Sequence, residues 1–399
     1  MVMQINKVEK NMIQLSERTK YFTDSVIRRM TRVCNQYGAL NLSQGFPDND
    51  PPEELMNRLS HVAHSGPHQY AITFGNPKTL EALSAKIEHF SGIHFDPASE
   101  LCITCGGTEA MMCAVMATVN PGQKIAIFSP FYENYGADAV LCGATPIYVP
   151  LHVPDFSFDP LELEKAFKDG AKALILCNPS NPSGKVFTRE ELLEIARIVE
   201  KYDAFVITDE VYEHIIFTPH QHTYFATLPG MKERTIMCNS LSKTYSITGW
   251  RLGYVAAPSY VMDRVRKVHD FLTVGAAAPL QEAVIAGLTL PDSYYDGVRD
   301  LFTHRKELFC KGLSEIGLKF YEPQGTYFVM VDISEFGYED DYEFCLDLAK
   351  DVKVGAVPGS SFFKEKVNSY MRLHFAKSDE TLKEALFNLS KIRDIIKPR

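Results

Sequence analysis

Ala173-Leu174-Ile175-Leu176-Cys177 and Phe205-Val206-Ile207-Thr208 are two largely apolar runs. Between them lie the turn-rich Asn178-Pro179-Ser180-Asn181-Pro182-Ser183-Gly184-Lys185 and a helical pattern over Glu190–Lys201. Short continuous apolar runs bounded by turn signals suit strands covered on both faces, and strand–helix–strand order suits a parallel sheet. Working outward, further strands are expected at Leu101–Thr104, Lys124–Phe128, Thr145–Val149, Thr235–Cys238 and Gly253–Ala257, with a helix over Glu109–Val119. Together these make an α/β unit around a mostly parallel seven-stranded sheet flanked by helices. Such a sheet binds ligands beyond the carboxyl ends of its strands.

From about Leu280 the pattern turns helix-rich, with strands expected at Thr326–Val331 and Met371–Phe375. This portion suits a smaller α+β domain, which the N-terminal helix and the loop to Asp50 would join. The expected division is 51–284 for the large α/β domain and 1–50 plus 285–399 for the small one. The chain has 399 residues, 45% of them hydrophobic, and a net charge of −9. That is ample for a buried core, and with no basic tract it argues against nucleic acid as a partner. Met1 to Lys20 lacks the apolar segment of a signal peptide, and no uncharged apolar run is long enough to span a bilayer. Nine scattered cysteines, an odd number, suit reduced thiols in a cytoplasm. The lone Cys102-x-x-Cys105 pair lies in an apolar run, reads as strand residues, and no metal is expected.

Chemistry concentrates in Asn239-Ser240-Leu241-Ser242-Lys243-Thr244-Tyr245, followed by Gly249-Trp250-Arg251-Leu252-Gly253. A lysine among small hydroxyl residues can form an imine with an aldehyde, and the hydroxyls and Arg251 can hold an anionic phosphate on the same molecule. That combination points to pyridoxal 5'-phosphate. Alone, Lys243 would pass for a surface lysine; its surroundings argue otherwise. Asp209 closes an apolar strand in Thr-Asp-Glu-Val-Tyr and could hold the proton on the pyridine nitrogen, keeping the ring an electron sink. It could equally cap a helix, and Glu210 is its competitor. Tyr212 and Asn181 could hydrogen-bond the ring's phenolate oxygen. In Thr104-Cys105-Gly106-Gly107-Thr108 the glycines let backbone approach a phosphate at a helix start, with Thr108 as cap or donor. Tyr132, after the strand ending near Phe128, could stack on the ring, while Phe131 suits core packing. Arg372, alternating with apolar residues in Met371-Arg372-Leu373-His374-Phe375, could grip a carboxylate with two parallel bonds or form a surface ion pair. Gly184-Lys185 is not a phosphate-binding Walker loop, since Pro179 stands where its first glycine should be.

With these residues in order, the chain resembles the class I/II aminotransferases, fold type I of the pyridoxal-phosphate enzymes, over nearly its whole length. Asn41-Leu42-Ser43-Gln44-Gly45-Phe46-Pro47, Tyr70…Gly75, Gly106-Gly107-Thr108, Asn181-Pro182, Asp209-Glu210-Val211-Tyr212, Ser240-x-x-Lys243, Arg251 and Arg372 carry the resemblance. Asn-Leu-Ser-Gln-Gly-Phe-Pro, Asp-Glu-Val-Tyr-Glu-His and Lys-Thr-Tyr-Ser-Ile-Thr-Gly-Trp look most like the kynurenine/glutamine and methionine aminotransferase branch. The resemblance implies that Lys243 is the Schiff-base lysine and proton shuttle, that Asp209 pairs with the pyridinium, and that Tyr212 and Asn181 contact the phenolate oxygen. It implies that Gly106, Gly107, Thr108, Ser240 and Arg251 surround the phosphate and that Tyr132 stacks on the ring. Arg372 and Asn181, with the backbone of Gly45, would take the α-carboxylate. Tyr70 would reach the phosphate from a partner subunit, which makes a homodimer the expected unit; its plainer reading is a local aromatic contact.

The reaction so implied moves an amino group from an L-amino acid to a 2-oxo acid. Thr108 stands where some aspartate-using relatives have a lysine, and no other distal cation is evident in the sequence, though a partner-subunit residue could supply one. Acidic donors are therefore disfavoured, because their second carboxylate would be buried unpaired. Phe22, Phe46, Tyr70 and Tyr327 would suit aromatic, methionine-like or glutamine side chains. A cysteine-S-conjugate or cystathionine β-lyase, an aspartate aminotransferase, or a non-catalytic binding protein on the same scaffold are the alternatives.

Overall fold

Residues 15–20 and 22–397 are described by the computed structural model. In chain order the first strands are β1 (Leu40–Asn41), β2 (Leu101–Thr104), β3 (Lys124–Ser129), β4 (Thr145–His152), β5 (Ser157–Phe158), β6 (Ala171–Cys177) and β7 (Phe205–Asp209). They are followed by β8 (Thr235–Ser240), β9 (Gly253–Ala256), β10 (Phe320–Tyr321), β11 (Phe328–Asp332), β12 (Val354–Gly355), β13 (Val357–Pro358) and β14 (Tyr370–His374).

All seven strands expected in the α/β unit lie in one sheet, in the order β2-β9-β8-β7-β6-β3-β4-β5. The eighth member, β5, is two residues turned back antiparallel on β4, too short to leave a pattern in the sequence. β3, β4, β6, β7 and β8 pair in parallel. β9 runs antiparallel to both β2 and β8. Alternation along the strands gives the sheet two apolar faces. Ile125, Ile127, Ile175, Ile207 and Val255 pack on Ala110 and Ala114 of the helix Gly107–Thr118 and on Val261 and Val265 of Ser259–Thr273. On the opposite face Ala126, Leu174, Leu176 and Val206 meet Leu163 and Phe167 of Pro160–Lys168 and Leu192 and Ile195 of Arg189–Lys201. Further along that face Leu101, Ile103, Met237 and Tyr254 meet the helices Pro77–Ser91 and Ala278–Leu288. Burying each of the Val, Leu, Ile, Phe and Met side chains contributes roughly 1.5–3 kcal/mol. The Arg189–Lys201 helix starts where it does because Thr188 and Glu191 form a reciprocal capping box.

A second sheet, β10-β11-β14-β13, is wholly antiparallel. Val329, Val331 and Leu373 share a core with Phe309 and Leu313 of the helix Asp292–Ile316, and with Met30 and Val33 of the helix Val26–Tyr37. β11 starts two residues later than expected. Thr326 sits at φ 65°, outside strand geometry, and its Oγ1 accepts the Phe328 N–H at 3.1 Å. All nine cysteines are free thiols; Cys102 lies in β2 and Cys105 just beyond it. Among the described residues no helix is long and apolar enough to cross a membrane.

Candidate active site

The parallel strands β3, β6, β7 and β8 end at one edge of the large sheet, and the loops that follow them form the floor of a cavity of about 390 Å³. β9 enters from the other direction, so its first residue, Gly253, lies beside Ser240 and Thr104 at that same edge. This reversal is what brings Arg251, which precedes a strand, among residues that follow strands. Gly45, Gly107, Thr108, Tyr132, Asn181 and Asp209 line the cavity, as do Tyr212, Ser240, Lys243, Arg251 and Arg372. Two expected residues do not. Gly106 is buried directly behind, at φ 83°, and a Cβ there would run into the Arg251 guanidinium. Tyr70 is 89% exposed and makes no ring contact among the described residues, so the local aromatic contact is not formed.

Lys243 sits in the one-turn helix Leu241–Thr244, capped by the Ser240 hydroxyl, and its Nζ donates to the Gly45 carbonyl at 2.9 Å. Asp209 is the last residue of β7. It caps no helix: its Oδ1 takes the Val211 N–H at 3.3 Å and its Oδ2 takes the Tyr135 hydroxyl at 2.7 Å. Burial pushes the Asp209 carboxyl above its ordinary range. Glu210, pointing the other way, is held against His222 at 3.2 Å, which leaves Asp209 as the acid that faces the cavity.

Arg372 is 1% exposed. Its Nη1 donates to Asn181 Oδ1 at 2.7 Å and its Nη2 to the Ser43 carbonyl at 2.9 Å, while Nε has no hydrogen-bond partner. It stacks over Phe328 at 4.0 Å and forms no ion pair among the described residues. The surface ion pair is thereby ruled out. Burial pushes its pKa down to about 10. Because Asn181 Oδ1 is committed to Arg372, the amide Nδ2 is the end left to donate into the cavity.

At the other end, Ser240, Ser242, Thr108, Arg251 and the backbone of Gly107 gather at the start of the helix Gly107–Thr118. Thr108 is not the cap; that position is Gly106, and Thr108 lies exposed in the first turn. Ser242 Oγ, buried on the cavity wall, has no partner. Tyr132 lies half-buried against Tyr135, and Phe131 packs on Tyr148 as core, 4.7 Å between rings. Of the four aromatics expected at the entrance only Phe46 lines the cavity; Tyr327 is buried, its hydroxyl on the Gly45 carbonyl. Lys185 is structural, its Nζ 2.8 Å from Glu191 Oε1.

Several residues at and behind the cavity escape a reading of the sequence. Glu109 Oε2 accepts the Cys105 N–H, and its Oε1 meets His269 Nδ1 and the Thr273 hydroxyl, both at 2.8 Å. His269 Nε2 in turn meets the Thr73 carbonyl at 2.9 Å. Glu109, Cys113 and His269 are close enough to suggest a metal, but both imidazole nitrogens are already engaged. Glu133, Arg28 and Ser25 also line the cavity. Glu133 accepts from the Ser25 hydroxyl and from the Val26 N–H, 3.1 Å, at the start of the helix Val26–Tyr37.

The family profile of aminotransferase class I and II matches residues 37–389. The probable N-succinyldiaminopimelate aminotransferase of Mycobacterium tuberculosis is 35% identical over 386 residues, 94% of this chain and 97% of that protein. Human kynurenine–oxoglutarate transaminase 3 is 32% identical, covering 93% of this chain and 88% of that one. The solved Escherichia coli methionine aminotransferase superposes with a TM-score of 0.91 at 32% identity, covering 95% of this chain and all of that one. The architecture is fold type I of the pyridoxal-phosphate enzymes. This chain belongs to the class I and II aminotransferase family.

Proposed function

We propose that the protein moves the amino group of an L-amino acid with an aromatic, methionine-like or glutamine side chain to a 2-oxo acid, working as a homodimer with pyridoxal 5'-phosphate in the cavity. The observation that carries this is Arg372. A guanidinium taken out of water costs several kcal/mol unless an anion meets it. Here the neighbours supply only an amide and a carbonyl, and the wall it shares with Lys243 faces the cavity. An α-carboxylate fits that demand.

The residues present suit the cofactor. A phosphate matches Ser240, Ser242, Thr108, Arg251 and the helix start, and the Ser242 hydroxyl has no other partner. Asp209, buried and braced by Tyr135, suits a protonated ring nitrogen. Tyr212 and Asn181 are the donors for a phenolate oxygen, and Tyr132 supplies a ring face. Pyridoxal phosphate, when bound, supplies an aldehyde to take the amino group and a ring to delocalise the electron pair left by the departing α-proton. The protein does the rest. Arg372 and Asn181 fix the α-carboxylate, which turns the α-hydrogen towards Lys243. Lys243 Nζ removes that proton as base and returns it as acid. Asp209 keeps a proton at the ring nitrogen, and Tyr70 of a partner subunit would complete the phosphate's surroundings. We take 51–284 as the cofactor-binding domain and 1–50 with 285–399 as the smaller one; residues 1–14, 21 and 398–399 lie outside those described.

The test is a half-reaction screen. Protein supplied with pyridoxal phosphate is mixed with each L-amino acid in turn, and the absorbance change to the amine form of the cofactor is followed. Amino acids of the proposed classes should react fastest, and Lys243→Ala should slow the step by about 10²–10⁴-fold. A variant as fast as wild type would refute the assignment.

A further inference from the structure

We propose that His269 is a positioning residue: a doubly protonated imidazolium that, with Glu109, ties the turn Cys105-Gly106-Gly107-Thr108 to the loop that carries Tyr70. This rests on the pyridoxal-phosphate reading above and deepens it. His269 lies on the helix Ser259–Thr273 and is fully buried behind the cavity. Both of its ring nitrogens meet an acceptor. Nε2 lies 2.9 Å from the Thr73 carbonyl oxygen, which can only accept, so Nε2 carries a proton. Nδ1 lies 2.8 Å from Glu109 Oε1. That carboxylate already accepts the Thr273 hydroxyl on Oε1 and the Cys105 N–H on Oε2. It acts as an acceptor on each side, so Nδ1 carries the second proton. A neutral imidazole has one N–H and would leave one of these two acceptors unserved.

The surrounding charges agree with this. Burial works to push His269 down, but the bond and charge of Glu109, with the Thr73 carbonyl, outweigh it and hold its pKa above the ordinary 6.5. Burial works to raise the Glu109 carboxyl, and the bonds from His269 and Cys105 outweigh it and hold it below its ordinary range. Cys113 Sγ, on the helix Gly107–Thr118, lies within 4.8 Å of both partners, and Cys105 faces Glu109 from the turn. Burial pushes both thiols up, so they stay neutral. On the helix of His269 itself, Asp270 adds a favourable charge, while Arg266 is drawn off to the Ala98 and Leu101 carbonyls. Each end of the network reaches a segment proposed to meet a phosphate. Cys105 directly precedes Gly106 and Gly107. Thr73 follows Tyr70 by three residues, and among the described residues it is the nearest to Tyr70 whose backbone is bonded outside the loop. In the proposed dimer the turn serves its own cavity and Tyr70 the partner's. One imidazolium then holds groups of both sites.

The experiment uses the full chain loaded with pyridoxal phosphate, as wild type, His269→Gln and Glu109→Gln, between pH 5 and 9. Two quantities are followed: release of pyridoxal phosphate on dilution, and amide exchange in residues 66–76 and 105–108. In wild type the tie is fully present below pH 6.5 and is lost as the pH rises through the higher pKa of the folded chain. Release should then quicken about tenfold, and both segments should lose protection at one midpoint. His269→Gln should release about tenfold faster at low pH and lack the step. Glu109→Gln should move the step below pH 6.5, because burial then acts on the imidazole unopposed. A step that survives unchanged in either variant overturns the proposal, as does wild-type release without a step. A lower urea midpoint with the step still in place would show a role in stability alone and overturns it as well. If the chain takes up no pyridoxal phosphate, the cofactor reading fails, and amide exchange still decides this one. Joint loosening of the two segments at a midpoint above pH 6.5 supports the tie, and segments that loosen separately or not at all overturn it. The wild-type exchange profile decides in the same way if neither variant folds.

Discussion

His374 shows how the site keeps a neighbour uncharged. It is fully buried on β14, two residues from Arg372. The Ala376 N–H donates to its Nδ1 at 3.2 Å, so the ring proton belongs on Nε2. Burial first, then Lys377 and Arg372, hold its pKa well below the ordinary 6.5. The unfolded chain therefore takes up a proton near pH 6.5 that the folded chain refuses. Stability from this residue is fully present above that pH and is lost as the pH falls below it, by about 1.4 kcal/mol per unit. Urea unfolding of wild type and His374→Asn across pH 5–8 should show the wild type's advantage shrinking on the acid side; a constant difference would contradict it. At this scale much of the site is legible. Asp209 and Arg372 stand in apolar runs, where few polar residues compete for notice, and Lys243 is marked by the small hydroxyl residues around it. Glu109 and Arg28 are not legible. Glu109 finds His269 160 residues away, and Arg28 looks like any charged residue on a solvated helix until the fold brings it to the cavity.

β9 carries the corresponding lesson for elements. Its existence follows from composition, but its direction does not, because an apolar run looks the same whichever way its neighbours run. Reversal has a steric cost that only glycine meets. A Cβ on Gly253 would lie 2.5 Å from the Gly106 carbonyl carbon, 2.6 Å from Gly107 N and 2.7 Å from the Asn239 carbonyl oxygen. All three are backbone atoms of the segments proposed to hold the phosphate, so none can swing aside. Gly253→Ala should cost about 1–3 kcal/mol of stability and loosen the cofactor. A lower urea midpoint together with faster release of pyridoxal phosphate on dilution is the expected pair of results. An unchanged midpoint would mean that the backbone yields after all. Thr326 teaches the same lesson: nothing in a β-branched residue announces a φ of 65°, so β11 starts later than its composition suggests.

At the scale of the whole molecule, exposed apolar surface gathers at the end of the helix Ser259–Thr273. Phe271 is 92% exposed, with Leu272 and Val274 beside it, and Gly275 packs against Thr73, next to Tyr70 and Ile72. A patch of this kind marks an interaction surface, and a second copy of the chain is the partner that would bring Tyr70 to a phosphate. Sedimentation should give twice the 44.9 kDa chain mass, and Phe271→Glu should move the protein towards monomer with weaker cofactor retention. Wild-type monomer with full activity would refute this. The alternating α/β architecture is legible because periodicity is local; the exposed apolar patch is not, because an exposed aromatic and a buried one are spelled alike. The bond from Arg372 to the Ser43 carbonyl, spanning 329 positions, has a consequence for biosynthesis. Everything proposed to hold the vitamin is already translated once Arg251 has been made. The grip on the amino acid waits for β14, near the end of the message. A ribosome that stops early would release a chain carrying the proposed Schiff-base lysine without the arginine proposed to orient what it reacts with.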